Sequence, residues 1–258
     1  MATSKKEVAT KAPEAPQQNA VVGVPDYIKQ GLGRGTENVA MHDVLIPRVE
    51  VVQALSPCLK KNDPSYIEGA QQGDLYNTVT RELYGPSATL CPVYFNTQYL
   101  IWKDRQAGGG FRGAFDTNEQ AQARIAQEPD AEDFQAVETK QFVCLRLDDA
   151  TGNIEEVMVS MARTKLKVAR QWNSLIRINA SSTGADMFSR IYTLFTVDAK
   201  SDKGDFKNFA VQSIGFAPVE VYRKAEALYS AIAGGERKAT ADYADAPIEG
   251  EAPAPRDF

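Results

Sequence analysis

The sequence predicts an α+β fold with a predominantly antiparallel β core. Three observations carry that reading: apolar runs rich in β-branched and aromatic residues recur through the middle of the chain, turn-forming clusters separate them in pairs, and the helical stretches lie between or after the strands. A small oligonucleotide-binding (OB-fold-like) barrel with added helices and disordered termini fits this order.

Residues 1–36 are rich in Ala, Pro, Gln, Lys and Gly, with too little large apolar surface to offset the entropy of ordering, and read as a disordered arm. Gly31-Leu32-Gly33-Arg34-Gly35 follows no strand and leads into no helix, so it is a flexible Gly/Arg linker rather than a nucleotide fingerprint. Residues 37–235 form a single domain. Its first strand lies within 43–55, where Pro47 confines that part to an edge or a bulge. Residues 66–83 look irregular or partly helical, with Gly69 and Gly73 weakening a helix. The strongest strand region is 88–102, with a turn candidate at Asn96-Thr97-Gln98, and Gly108-Gly109-Gly110 then reads as a mobile loop or sharp bend.

A short surface helix follows at 119–126. Segments 141–147 and 154–161 flank Asp148-Asp149-Ala150-Thr151-Gly152-Asn153 as a hairpin, whose carboxylates cap backbone amides. Segment 188–197 is apolar on both faces and pairs with 206–214 across residues 198–205. The last helix runs from Pro218 to a stop at Gly234-Gly235.

Cys58, Cys91 and Cys144 are odd in number and far apart, which reads as buried free thiols in a reducing compartment. With His42 as the lone histidine there is no plausible zinc ligand set and no histidine triad, and no cofactor is implied. A nucleophile elbow and a Walker loop are both absent, so the chain reads as a non-enzyme; a metal-dependent nuclease built from scattered acids is a third class. No apolar run approaches the roughly 20 residues that span a bilayer, and the lysine-bearing amino terminus lacks the apolar stretch of a signal peptide. The expected location is the cytoplasm of the cell that makes it.

The formal net charge is −5, but the charges are unevenly placed. From Ser160 to Ile178 there is no acid, while Arg163, Lys165, Lys167, Arg170 and Arg177 are all basic. At 100° per residue Val168, Ala169, Trp172, Leu175 and Ile176 fall on one side of a helix. Arg163, Lys167, Arg170 and Arg177 fall in a stripe opposite, and only Lys165 breaks the segregation. Such a stripe, with no acid at i±4 to pair with it, suits a sugar-phosphate backbone. The bland alternative is a solvated helix face, the commoner fate of such residues.

Single-strand binding also needs aromatic faces for bases to stack on. Tyr94, Tyr99, Trp102, Phe111 and Phe115 lie in one strand–loop region together with Lys103, Arg105 and Arg112. Aromatics in strands are more often core, and that alternative stays open.

Residues 236–258 form a flexible acidic tail: after Thr240 it holds Asp242, Asp245, Glu249, Glu251 and Asp257 against Arg256, and it ends in Asp257-Phe258. This Pro/Ala-rich ending resembles the tails of bacterial and T7-type phage single-stranded DNA-binding proteins. The acids here are isolated by Ala and Pro, a departure from that pattern. Segments 43–53 (DVLIPRVEVVQ), 73–80 (GDLYNTVT), 92–110 (PVYFNTQYLIWKDRQAGGG) and 165–175 look like a group of tailed-phage proteins suspected of the same role. The resemblance implies a phage protein that binds single-stranded DNA in replication or recombination, without sequence preference. It also implies a tail, with Asp257 and Phe258 at its tip, that contacts a phage DNA polymerase or another replication protein and competes with DNA for the basic groove. A homo-oligomer is compatible with both. The alternative is a non-enzymatic phage structural or assembly protein whose aromatic strands are simply core.

Overall fold

The computed structural model describes residues 35, 37–39, 44, 46–104, 106–201, 204–237, 239 and 243. Two compact units divide the chain, Met1–Ala40 and Met41–Phe258, and the architecture below is that of the second. The expected amino-terminal arm falls almost wholly outside the described residues, as do Arg105, Asp257 and Phe258.

The fold is α+β and its sheets are mostly antiparallel. A small sheet has the order β1 (Val49–Val51), β2 (Leu75–Asn77), β3 (Leu83–Gly85). The main sheet contains β4 (Ser87–Lys103), β5 (Phe111–Phe115), β6 (Phe134–Leu147), β7 (Ile154–Ala162), β8 (Arg190–Ser201) and β9 (Gly204–Phe216). Its path is β7-β6-β4-β8-β9, with β5 paired to the far end of β4. The terminal strands β7 and β9 do not pair, so the sheet does not close into a barrel. A parallel bridge, Arg48 to Met158, sets the small sheet beside β7.

Alternate residues of β6 build two cores. Phe142 and Cys144 face a layer closed by helix α2 (Leu166–Thr183) through Val168, Ala169 and Trp172. Val143 and Leu145 face the opposite layer, closed by α3 (Val219–Ala233) through Val221, Ala225, Leu228 and Ile232. Period-two alternation in a sheet covered on both sides produces this division directly. A third helix, α1 (Asn118–Ile125), packs Ala121 and Ile125 on Ile101 of β4 and is capped by Thr117, which accepts from the Gln120 amide. No helix among the described residues is long and apolar enough to cross a membrane.

Several elements differ from the sequence reading. Asn96-Thr97-Gln98 is no turn: β4 runs unbroken for 17 residues, because these polar residues pair with Gln141, Lys140 and Thr139 of β6. Residues 198–201 and 204–205 extend the β8–β9 ribbon instead of looping, with Lys207 and Asp198 ion-paired across it at 2.8 Å. Phe188 lies in a 3-10 turn ahead of β8. Residues 66–83 are largely irregular, as read, and carry the short strand β2 and the start of β3 in place of any helix. The 148–153 turn forms as expected, with Asp148 accepting from the Ala150 amide and the Thr151 hydroxyl, contacts that hold its carboxyl below the usual range. All three thiols are free and buried, and burial pushes Cys91 up to about 12.

Candidate nucleic-acid interface

The expected basic helix exists, but it starts later and distributes its charges differently. β7 ends at Ala162, a 3-10 turn spans Arg163–Lys165, and α2 proper begins at Leu166. Arg163 makes this turn in the left-handed region, φ 50°, so its side chain leaves the helical stripe and donates to Gln135 Oε1 at 2.8 Å. Lys165 is also outside the stripe, being 5% exposed with its ammonium 4.3 Å from the centre of the Phe209 ring. Arg163 corrects the helical projection, because 100° spacing holds only from Leu166 onward, whereas Lys165 already stood apart from the stripe.

Lys167, Arg170 and Arg177 remain on the outer face of α2, exposed. Among the described residues none of the three forms an ion pair or a side-chain hydrogen bond. The helix beneath them is firmly seated. Trp172 is fully buried and stacked on Phe142, and Gly184 ends the helix with a left-handed φ of 67°, its amide donating to Ala180 O.

The aromatic candidates do not form one platform. Strand register puts Leu100 and Trp102 opposite Val137 and Gln135, whereas Tyr99 and Ile101 lie opposite Glu138 and Ala136 on the other face. Tyr99 therefore packs with Phe115 and Phe134 in the α1 layer. Trp102 meets Phe111 across the β4–β5 pair, ring centres 5.5 Å apart. Tyr94 packs against the α3 core. The same alternation places Trp102 on the face covered by α3 and the Lys167–Arg170–Arg177 ridge over the face covered by α2, with Arg163 where the chain turns from one to the other.

The other basic candidates are partly committed. The Lys103 ammonium is paired with Asp130 and lies 5.0 Å from the Phe134 ring centre. That hydrogen bond is the main cause holding the Asp130 carboxyl below the usual range. Arg112 is exposed and donates to its neighbouring carbonyls Phe111 O and Gly109 O. Trp102, Lys103, Gln135 and Arg163 border an open hollow that also takes in Asp104, Glu132 and Asp133, so this end of the surface is mixed in charge.

One contributor was not foreseen. Tyr243, inside the segment read as an acidic tail, is 3% exposed and completes a cluster with Leu100, Trp102 and Val137. Gln141 Nε2 donates to its hydroxyl at 2.6 Å, and the Ser160 and Tyr243 hydroxyls share a hydrogen bond of 2.7 Å. The Arg48 guanidinium lies 4.9 Å from its ring centre. A signal was available, since Tyr243 is the one aromatic between Tyr229 and Phe258.

The family described as Pam3 phage gp34-like protein matches residues 16–238, most of the chain and nearly all of the architecture above. The chain belongs to this phage family. No curated protein and no solved structure matches it.

Proposed function

We propose that the chain is a non-catalytic single-stranded DNA-binding protein acting in phage DNA replication or recombination in the host cytoplasm. The observation that carries this reading is the ridge of Lys167, Arg170 and Arg177, exposed on a helix anchored through Trp172. Cations held on a rigid element without acidic partners attract a phosphate backbone and give up little pairing when they bind it. Arg163 extends the basic surface around the end of β7 toward the half-buried Phe111, where stacking can add about 1–3 kcal/mol per base. The open antiparallel sheet supplies the support that an OB-type barrel was expected to give. Asp257 and Phe258 keep the role the resemblance implies, contact with a replication protein.

Titration with an oligothymidylate and with duplex DNA at two salt concentrations tests the reading. Single strands bind more tightly than duplex, and affinity falls steeply with salt. Tighter duplex binding, or a salt-independent signal, overturns it.

A second reading, a structural or assembly protein, is favoured by one feature: Ile214, Phe216 and Val219 are 51%, 60% and 65% exposed near the end of β9 and the start of α3. Apolar side chains grouped this way suit a face covered by a partner or a second copy. Concentration-dependent self-association without any oligonucleotide binding would select this reading.

A further inference from the structure

The recess around Tyr243 contains more polar capacity than Tyr243 uses. Strand register aligns Asn96, Gln141 and Ser160 in one row across β4, β6 and β7, with Gln98 and Thr139 in the next row on the same face. Leu100 and Val137, which pack with Tyr243, form the row after that. Gln141 is fully buried and Gln98 is 6% exposed. Yet Asn96 Oδ1, Gln98 Oε1 and Gln141 Oε1 are buried and accept no hydrogen bond among the described residues. Buried acceptors left unmet are costly, and three of them on one sheet face exceed what a protein interior ordinarily carries in so small an area.

Above this amide floor the walls suit a planar ring. Trp102 meets the Tyr243 ring edge to face at 6.4 Å, Phe111 lies at 5.6 Å, and the Arg48 guanidinium is fixed by its 2.8 Å ion pair with Glu50. The phenol places a six-membered ring between these groups and a polar edge on Gln141 and Ser160.

We propose that this recess is a pocket for one unstacked pyrimidine base with an N–H edge, thymine in DNA, and that Tyr243 is its resident occupant. A pyrimidine ring matches the phenol in size. Its N3–H supplies a donor that the amide oxygens lack, and its carbonyls accept from the amide N–H groups and the Ser160 hydroxyl. Trp102 and Arg48 take the ring by the aromatic and cation–π contacts they now make with Tyr243. This inference rests on the single-strand reading above and adds to it a base-sized site and a competitor carried by the chain itself.

Tyr243→Ala and Tyr243→Phe test it, with thymidine monophosphate and an oligothymidylate as probes and Trp102 fluorescence as readout. Tyr243→Ala opens the pocket: the mononucleotide quenches Trp102 saturably where the native chain shows no response, and oligothymidylate affinity rises about tenfold, the resident ring having left only a small binding-competent fraction. Because the displaced group is uncharged, the gain persists at high salt. Tyr243→Phe keeps the ring but loses both hydrogen bonds, giving a smaller gain in the same direction, and it decides the matter if the alanine variant fails to fold. The proposal is overturned if neither variant binds either probe better than the native chain. Equal oligothymidylate affinity in all three chains, without mononucleotide binding, removes the pocket and leaves the single-strand reading standing. Mononucleotide uptake by Tyr243→Ala with no oligonucleotide binding in any chain does the reverse.

Discussion

Trp172 lies nearly face to face with Phe142, ring centres 4.4 Å apart and planes 22° from parallel, sealed between α2 and the sheet. The other tryptophan, Trp102, borders the open hollow beside Arg163. The two indoles should therefore separate stability from ligand response. Trp102→Phe abolishes any DNA-dependent fluorescence change, while Trp172→Phe retains it. Trp172→Ala costs about 3–5 kcal/mol in a urea unfolding experiment, since it empties a packed core site. A DNA response that survives Trp102→Phe would place the strand elsewhere.

The basic residues on and before α2 should divide in the same way. Replacing Lys167, Arg170 and Arg177 together by Ala leaves the melting temperature nearly unchanged and lowers the log–log salt slope of single-strand binding by about 0.7 for each phosphate no longer neutralised. Lys165→Ala behaves oppositely. Its stem and ammonium pack on Phe209, so it costs about 1–2 kcal/mol of stability and barely moves the salt slope. If the triple variant keeps the native slope, the ridge is a solvated helix face.

Much of the fold was legible because the local signals agreed. The 148–153 turn gathers Asp, Gly and Asn in one short run between two apolar segments, and the last helix opens at Pro218 and stops at Gly234-Gly235. Asn96-Thr97-Gln98 misled because a polar triplet in a strand is indistinguishable from a turn until its cross-strand partners, themselves polar, are known. The site was half legible. Helical projection found Lys167, Arg170 and Arg177, but it could not foresee that Arg163 adopts a left-handed turn. Nor can a one-dimensional string of aromatics show that Tyr99 and Trp102, an odd number of residues apart on one strand, face opposite layers. The pairing of Tyr243 with Gln141 spans 102 residues and leaves no local trace.

Acid should weaken the region around Lys103 specifically. The Asp130 carboxyl is held below its usual range chiefly by the hydrogen bond from Lys103. A carboxylate depressed in the folded state contributes stability that is present above its unfolded pKa and is lost as pH falls through the folded pKa. Asp130→Asn should therefore lower the melting temperature slightly at neutral pH, with the difference from the native chain closing in acid. The effect is small because water reaches the Asp130 carboxylate and screens the pair. A difference that stays constant across the acid range would show that the pair contributes through packing instead of charge.

Two cuts in the tail distinguish charge from ring. Removing residues 244–258 deletes Asp245, Glu249, Glu251 and Asp257 together with Arg256 but leaves Tyr243 in place. If the acidic segment competes for the ridge, this cut tightens single-strand binding at low salt. The gain disappears at high salt, because such charges are screened within about 8 Å at physiological ionic strength. Removing residues 240–258 also takes Tyr243, leaving the Ser160 hydroxyl and the Gln141 amide without the partner they share. This longer cut should cost about 2–4 kcal/mol of stability, from the emptied ring site and its missing hydrogen bonds. It should also tighten binding at both salt concentrations, since what it frees is an uncharged aromatic site. Identical salt dependence for the two truncations would mean that Tyr243 contributes nothing to the competition and that the tail acts through its carboxylates alone.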